Sequence, residues 1–410
     1  MKISIKKFII AALIAASVVT IAYCFASTSL AATYSDQREY AHGMNFVTNP
    51  ATGKSYLIWS DQYATGSTSD GNWTHDVYYQ EINTSNPKIT KKKTLISAKE
   101  AQEPASVAVS PEGNFFVTFE DGANTHGNIL AQNYAVFDKD WNAIKAYPQT
   151  IAAGGHSGHA SSTSNKFVTF WNNDWVDGGG VDNLGTGKDV YVTSMNTNGT
   201  NKKTIAVAKG KTRNWWPLLA ASSNRSLLVW QRYVNKKLYT HLCYAIYNPT
   251  TNRLCSISGS SSKIQVLKGI KAKYYCYNVV YLPEINRYVI NITTSANKGT
   301  LLLLNSKGRI IAKKTGLPAF VRESTPAVKY NDAAYTLCYP RSTTGAFTVT
   351  VNSSSISYKG KLSGSYKWTY CGTSGFFTDD GSTACFATLP IAKTLKSNTT
   401  VKLINFKISN

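Results

Sequence analysis

Seven times along the chain a short polar turn gives way to an apolar run that usually ends in an aromatic or other bulky residue. The runs are SYLIWSD from Ser55, FFVTFED from Phe115, KFVTFWN from Lys166, SLLVWQR from Ser226, RYVINIT from Arg287, AYTLCYP from Ala334 and TACFATL from Thr383. Steps between them are about 47 to 61 residues. The flanking pattern predicts four strands per unit, a to d, joined as a meander. In the second unit, strand a is PASVAVS, its turn PEGN, strand b FFVTFE, strand c ILAQNYAVF, and strand d lies near NAIKAYP. In the fourth they are PLLAAS, SLLVW, YTHLCYAIY and, after the turn NPTTN, RLCSI. Pro, Asn and Gly sit in the turns, as tight connections require. No useful helical period follows the first 31 residues.

This period is the span of one four-stranded propeller blade. The expectation is an all-β chain: residues 32–410 form a single seven-bladed β-propeller, with six blades as the alternative because the last two units are shorter. The final unit supplies only three good strands, WTYCGTS, STACFATL and TVKLINFKI, so residues 33–40 are expected to return as its fourth. The chain resembles secreted bacterial β-propellers in general. The resemblance covers everything after the N-terminal segment and rests on repeat spacing; the Asp-box of sialidase-type propellers is absent, and SDGNW at Ser69 is a superficial likeness. Propellers host binding, hydrolysis and lyase chemistry alike, so function has to come from a site.

Residues 1–31 read as a signal peptide. Lys2, Lys6 and Lys7 precede an apolar run, and Ser29-Leu30-Ala31 is a small-residue cleavage site. The run is also long enough to stay as an N-terminal membrane anchor. Tyr23 before Cys24 argues against a lipoprotein. The chain is thus expected outside the cell, secreted or tethered, and as a monomer. Six cysteines follow the segment; their place in or beside apolar strands reads as small buried hydrophobes, although an exported chain permits disulfides.

Charge divides the chain. The total is +22, but residues 33–189 hold 11 Lys/Arg against 17 Asp/Glu, and residues 190–410 hold 30 against 5. A basic half attracts polyanions; it also serves plain solubility. A polysaccharide or cell-envelope glycan is the expected partner, and nucleic acid is not.

A meander puts the d–a and b–c connections on one face. There the b–c loops of units 1 to 3 are long, and the residues leading into strand a are rich in titratable and aromatic groups: His42, Glu103, His156, His159, Trp215, Trp216, Tyr275, Arg322, Glu323 and Tyr370. Trp73, Trp171 and Trp175 are expected to join them. One reading is a glycan-binding face, with Trp73, Trp171, Trp175, Trp215, Trp216, Tyr275 and Tyr370 stacking on sugar rings. A second is a polysaccharide lyase, with His42, His156 or His159 as base, Tyr275 or Tyr370 as acid and Arg322 or Arg213 neutralising a carboxylate. A glycosidase would pair Glu103 with Glu323. A third is a protein-binding scaffold or adhesin, for which no residue speaks. No cofactor is expected; Asp174, Asp177 and Asp182 form a weak Ca²⁺ candidate without EF-hand spacing. Phosphate loops, HExxH and GxSxG are missing.

Overall fold

A computed structural model describes residues 41–62, 75–98, 102–121, 131–173, 187–210, 212–234, 237–368, 372–389 and 401–408. Among these residues there is no helix. The strands form seven sheets, each built on an antiparallel meander in chain order, with one added parallel pairing in blade 7. The inner strands are Ala41–Thr48, Gln102–Val109, His156–Ser162, Arg213–Ala221, Tyr277–Leu282, Ala327–Asn331 and Thr373–Phe377. All seven apolar runs become the second strand of a blade. The fold is a seven-bladed propeller.

The second strands are apolar on both faces because neighbouring blades cover both. Phe115, Phe116, Val117 and Phe119 are fully buried in succession. Outermost strands have one free edge and read differently: Ile356–Lys367 is almost wholly exposed or half-exposed. The buried side chains segregate into seven clusters, one per blade junction. One of them holds Met44, Leu57 and Trp59 of blade 1 against Phe376, Cys385 and Ala387 of blade 7. There Phe46 stacks on Phe376 at 4.4 Å, and the Phe46 amide donates to Ser374 Oγ at 3.0 Å. The ring therefore closes by direct packing of last blade on first. The fourth strand expected from residues 33–40 lies outside the described residues.

Two details depart from the sequence reading. In blade 4 the fourth strand is only Arg253–Cys255, and Ile264–Lys273 takes over most of the outer edge beside Tyr239–Asn248. In blade 7, Ser324–Thr325, just ahead of the inner strand of blade 6, pairs in parallel with Thr373–Ser374. The five described cysteines stand free, and four are buried in the blade cores. Burial pushes the thiols of Cys243, Cys276 and Cys385 up to about 11, so they stay protonated.

Polar clasps near the top of the second or third strand tie blade 1 to 2, 2 to 3, 3 to 4 and 5 to 6. Ser60 Oγ donates to the Gln102 carbonyl at 2.8 Å and accepts from the Ala105 amide at 2.9 Å. Gln132 Oε1 accepts from the Gly158 amide at 2.9 Å. Asn172 Nδ2 donates to the Asn214 carbonyl at 2.7 Å, and Thr293 Oγ1 accepts from the Phe320 amide at 3.3 Å; within blade 4, Gln231 Nε2 donates to the Ala272 carbonyl of its outer strand at 2.8 Å. The four inter-blade side chains meet backbone groups in or ahead of the next blade's inner strand. Asn172 is fully buried. Asn172→Ala should therefore lower unfolding free energy by about 2 kcal/mol in urea titration, whereas Lys361→Ala on an exposed outer strand should stay within about 0.5 kcal/mol.

Candidate functional site

The inner strands all begin on one face, and each begins with a forced backbone bend. Gly43, Ser157, Trp216, Tyr275, Glu323 and Gly372 have φ of 68°, 53°, 51°, 61°, 56° and 56°; blade 2 has the cis Glu103–Pro104 bond at the same place. Two residues further on, each blade turns one side chain toward the axis: Asn45, Ser106, His159, Leu218, Thr325 and Ser374, with the Tyr277–Asn278 pair in blade 5. Glycine adopts a left-handed bend at little cost, but Trp, Tyr and Glu do not, and such strain gathers at functional sites. Here the strained non-glycine residues fall in blades 3 to 6, in one arc.

Along that arc the side chains touch in series. The His159 ring meets Trp216 edge-on at 5.0 Å, and Trp216 lies 4.5 Å from Tyr275. The Arg322 guanidinium sits 4.0 Å over the Tyr275 ring, and its Nε donates to Glu323 Oε1 at 3.2 Å. The Tyr277 hydroxyl donates to the Trp216 carbonyl, which fixes the bend at Trp216. Behind this row stand Trp215, Tyr274 and His156, with His156 5.3 Å from Trp215. An upper chamber of about 100 Å³ is lined by His159, Trp216, Asn278 and Glu323, and a wider channel of about 600 Å³ also carries His159 and Asn278 in its wall. Asn278 is 7% exposed, and its carboxamide oxygen has no hydrogen-bond partner.

The arrangement corrects several sequence expectations. Trp215, Trp216 and Tyr275 are 1%, 4% and 0% exposed, so none offers a free ring face to a sugar. They are core, because the bend that starts each inner strand folds them back between blades 4 and 5. Trp171 is also buried: it packs between blades 2 and 3, stacks on Tyr191 at 4.8 Å, and donates from Nε1 to Thr193 Oγ1 at 2.9 Å. His156 is sealed from solvent, and burial drives its pKa down to about 3, so it is a neutral spacer rather than a base. Glu103 does not line the chamber that holds Glu323; it lies 3.4 Å from the buried His75 ring. Arg213 begins the inner strand of blade 4, opposite Tyr233. Trp73, Trp175, Tyr370, Asp174, Asp177, Asp182 and the His42 side chain lie outside the described residues. Among the described residues no three His, Cys, Asp or Glu side chains group as metal ligands.

Some relevant residues had escaped notice. Glu120 accepts from the Ser157 amide at 2.5 Å and from its hydroxyl at 3.2 Å, which anchors the blade 3 bend. Asn278 is hidden among the apolar residues of YNVVYL, and only the repeat of bend plus two or three positions marks it.

No protein-family model matches the sequence, and no curated protein matches it. Solved structures do. An ulvan lyase, a polysaccharide lyase bound to -[GlcA(1-4)Rha3S]-, superposes with a TM-score of 0.51 at 10% identity, over 90% of this chain and 94% of that one. This likeness shows the fold alone. The intramolecular trans-sialidase of Ruminococcus gnavus (TM-score 0.44, 7% identity, 90% and 94% covered) and the NanB sialidase of Streptococcus pneumoniae (0.46, 13%, 92% and 70%) are looser.

Because the folded state holds His156 neutral at about 3 while its ordinary value is 6.5, the unfolded chain binds the extra proton first as pH falls. The contribution is complete above pH 6.5 and drains away between 6.5 and 3. Between pH 6.5 and 5, the native protein should lose roughly 1.5 kcal/mol more stability than His156→Gln, read by denaturant titration at each pH.

Proposed function

We propose that the protein acts outside the cell as a binder of acidic carbohydrate, seated on the upper face at the channel mouth. The observation that carries this reading is the strained arc at Trp216, Tyr275 and Glu323, which holds Arg322 beside a chamber where His159, Asn278 and Glu323 meet. The guanidinium supplies a cation for a carboxylate or sulfate, and the others supply donors and acceptors for hydroxyls. The buried rings set that polar array in place instead of stacking on the sugar. The positive balance of residues 190–410 raises the local concentration of acidic polymer. The N-terminal segment supports export. The lyase that shares the fold holds a uronate-containing chain, as its description states, and at that identity it adds only compatibility.

One geometry favours a second reading, eliminative cleavage. His159 Nδ1 lies 3.1 Å from the Ser157 carbonyl, which can only accept, so in the neutral ring Nδ1 carries the proton and Nε2 is the basic nitrogen. Such a base would take the C5 proton of a uronate; the electron pair would form the C4–C5 double bond as the C4 oxygen departs and takes a proton from solvent water, with Arg322 balancing the carboxylate.

The test is calorimetric titration with uronate-containing and sulfated polysaccharides beside neutral ones. Acidic chains should bind and weaken with salt, and Arg322→Gln should cost about ten- to a hundredfold in Kd. Equal affinity for neutral chains, or none for acidic ones, would sink the binding reading. Unsaturated product, read by absorbance and lost in His159→Gln while binding persists, would establish cleavage.

A further inference from the structure

Beside the channel mouth, on the same upper face, a separate cavity of about 250 Å³ opens above blades 4 to 6. Its wall is made by Lys273, Arg322, Thr293, Ser342, Phe320 and Trp368, with Leu238, 42% exposed, at its edge. Its charged lining residues, Lys273 and Arg322, are both cations, and Lys273 makes no ion pair with a described carboxylate. Trp368 is half-buried, unlike Trp171, Trp215 and Trp216. Its Nε1 donates to the Gly345 carbonyl at 2.9 Å, and Tyr366, Phe386 and Phe406 pack around it at 5.2, 5.5 and 6.0 Å. The indole is thus held in one orientation with part of its surface open.

We infer that this cavity is a subsite for one acidic sugar residue of a carbohydrate chain. It is sized for a single ring rather than a chain. Lys273 and Arg322 would take the carboxylate or sulfate, and Trp368 would face the ring's C–H surface, the combination of apolar plate and fixed cation that acidic sugars need. Arg322 lies between the cavity and the channel mouth, over Tyr275, so a chain crossing this face would touch both. The inference rests on the acidic-carbohydrate reading and assigns it a second contact point whose key residues, Lys273 and Trp368, lie outside the channel.

The experiment titrates the full chain with heparin oligosaccharides, with dextran as the neutral control. Lys273→Gln should weaken heparin about tenfold and Trp368→Phe several-fold, while Lys313→Gln, on an exposed outer strand, should change it less than twofold. Selectively desulfated heparin then tells sulfate from carboxylate at Lys273: the loss caused by Lys273→Gln persists if the carboxylate is held and vanishes if the sulfate is. Equal, small losses in Lys273→Gln and Lys313→Gln, with Asn278→Ala in the channel wall strongly impaired, would overturn the subsite and leave the channel-mouth reading standing. No heparin binding by the native protein would remove both.

Discussion

A blade of this protein has two apolar faces, and a lone four-stranded sheet leaves both in water. Each face is buried only when another blade stands against it, so no blade is complete until the ring closes. Everything else follows from that constraint. The seven clusters of buried side chains belong to junctions rather than to blades, and the cluster of Met44, Trp59, Phe376 and Cys385 is the one that turns a row into a ring. The polar clasps from Ser60, Gln132, Asn172 and Thr293 do the complementary task at four of the junctions, meeting backbone groups in or ahead of the neighbouring inner strand.

The same constraint explains what was legible in the sequence. A second strand covered on both faces must be apolar at nearly every position, so SYLIWSD or FFVTFED is conspicuous without any partner in view. An outer strand such as Ile356–Lys367 carries a weak pattern, and the replacement of RLCSI by Ile264–Lys273 in blade 4 could not be read from either segment alone. The face on which the inner strands begin was also readable, because a meander fixes which connections share a side. What was not readable was the direction of each ring there. Trp215, Trp216 and Tyr275 sit where a rim was expected, yet the bend made by a positive φ at Trp216 and Tyr275 leaves all three rings buried, and φ has no signature when the residue is Trp or Tyr rather than Gly. Trp368, which opens the run WTYCGTS expected as a strand of the last unit, instead follows the outer strand Ile356–Lys367 of blade 6, so its place beside a cavity had no signal in the sequence.

At the channel mouth the protein accepts local backbone strain, and sequence-level consistency fails there as it commonly does at functional sites. Ser157 is braced by Glu120, Trp216 by the Tyr277 hydroxyl, and Glu323 by Arg322. The bracing comes from neighbouring blades or adjoining residues, so the geometry of the mouth is inherited from ring packing. His156 illustrates the division of labour: one histidine is sealed and neutral behind Trp215, while His159, three residues along the same strand, lines open space.

The lysines of the outer strands have a consequence of their own. Lys268, Lys271 and Lys273 in blade 4, Lys313 and Lys314 in blade 5, and Lys359, Lys361 and Lys367 in blade 6 lie on three successive outer strands that contain no acidic residue, whereas residues 33–189, which include blades 1 and 2, carry the acidic excess. The ring is therefore an in-plane electric dipole. Near a negatively charged surface it experiences a torque as well as an attraction, effective within roughly 8 Å at physiological ionic strength. The molecule rotates about its own axis until blades 4 to 6 face the charge, so a round and nearly symmetric fold acquires a preferred compass bearing before any contact is made.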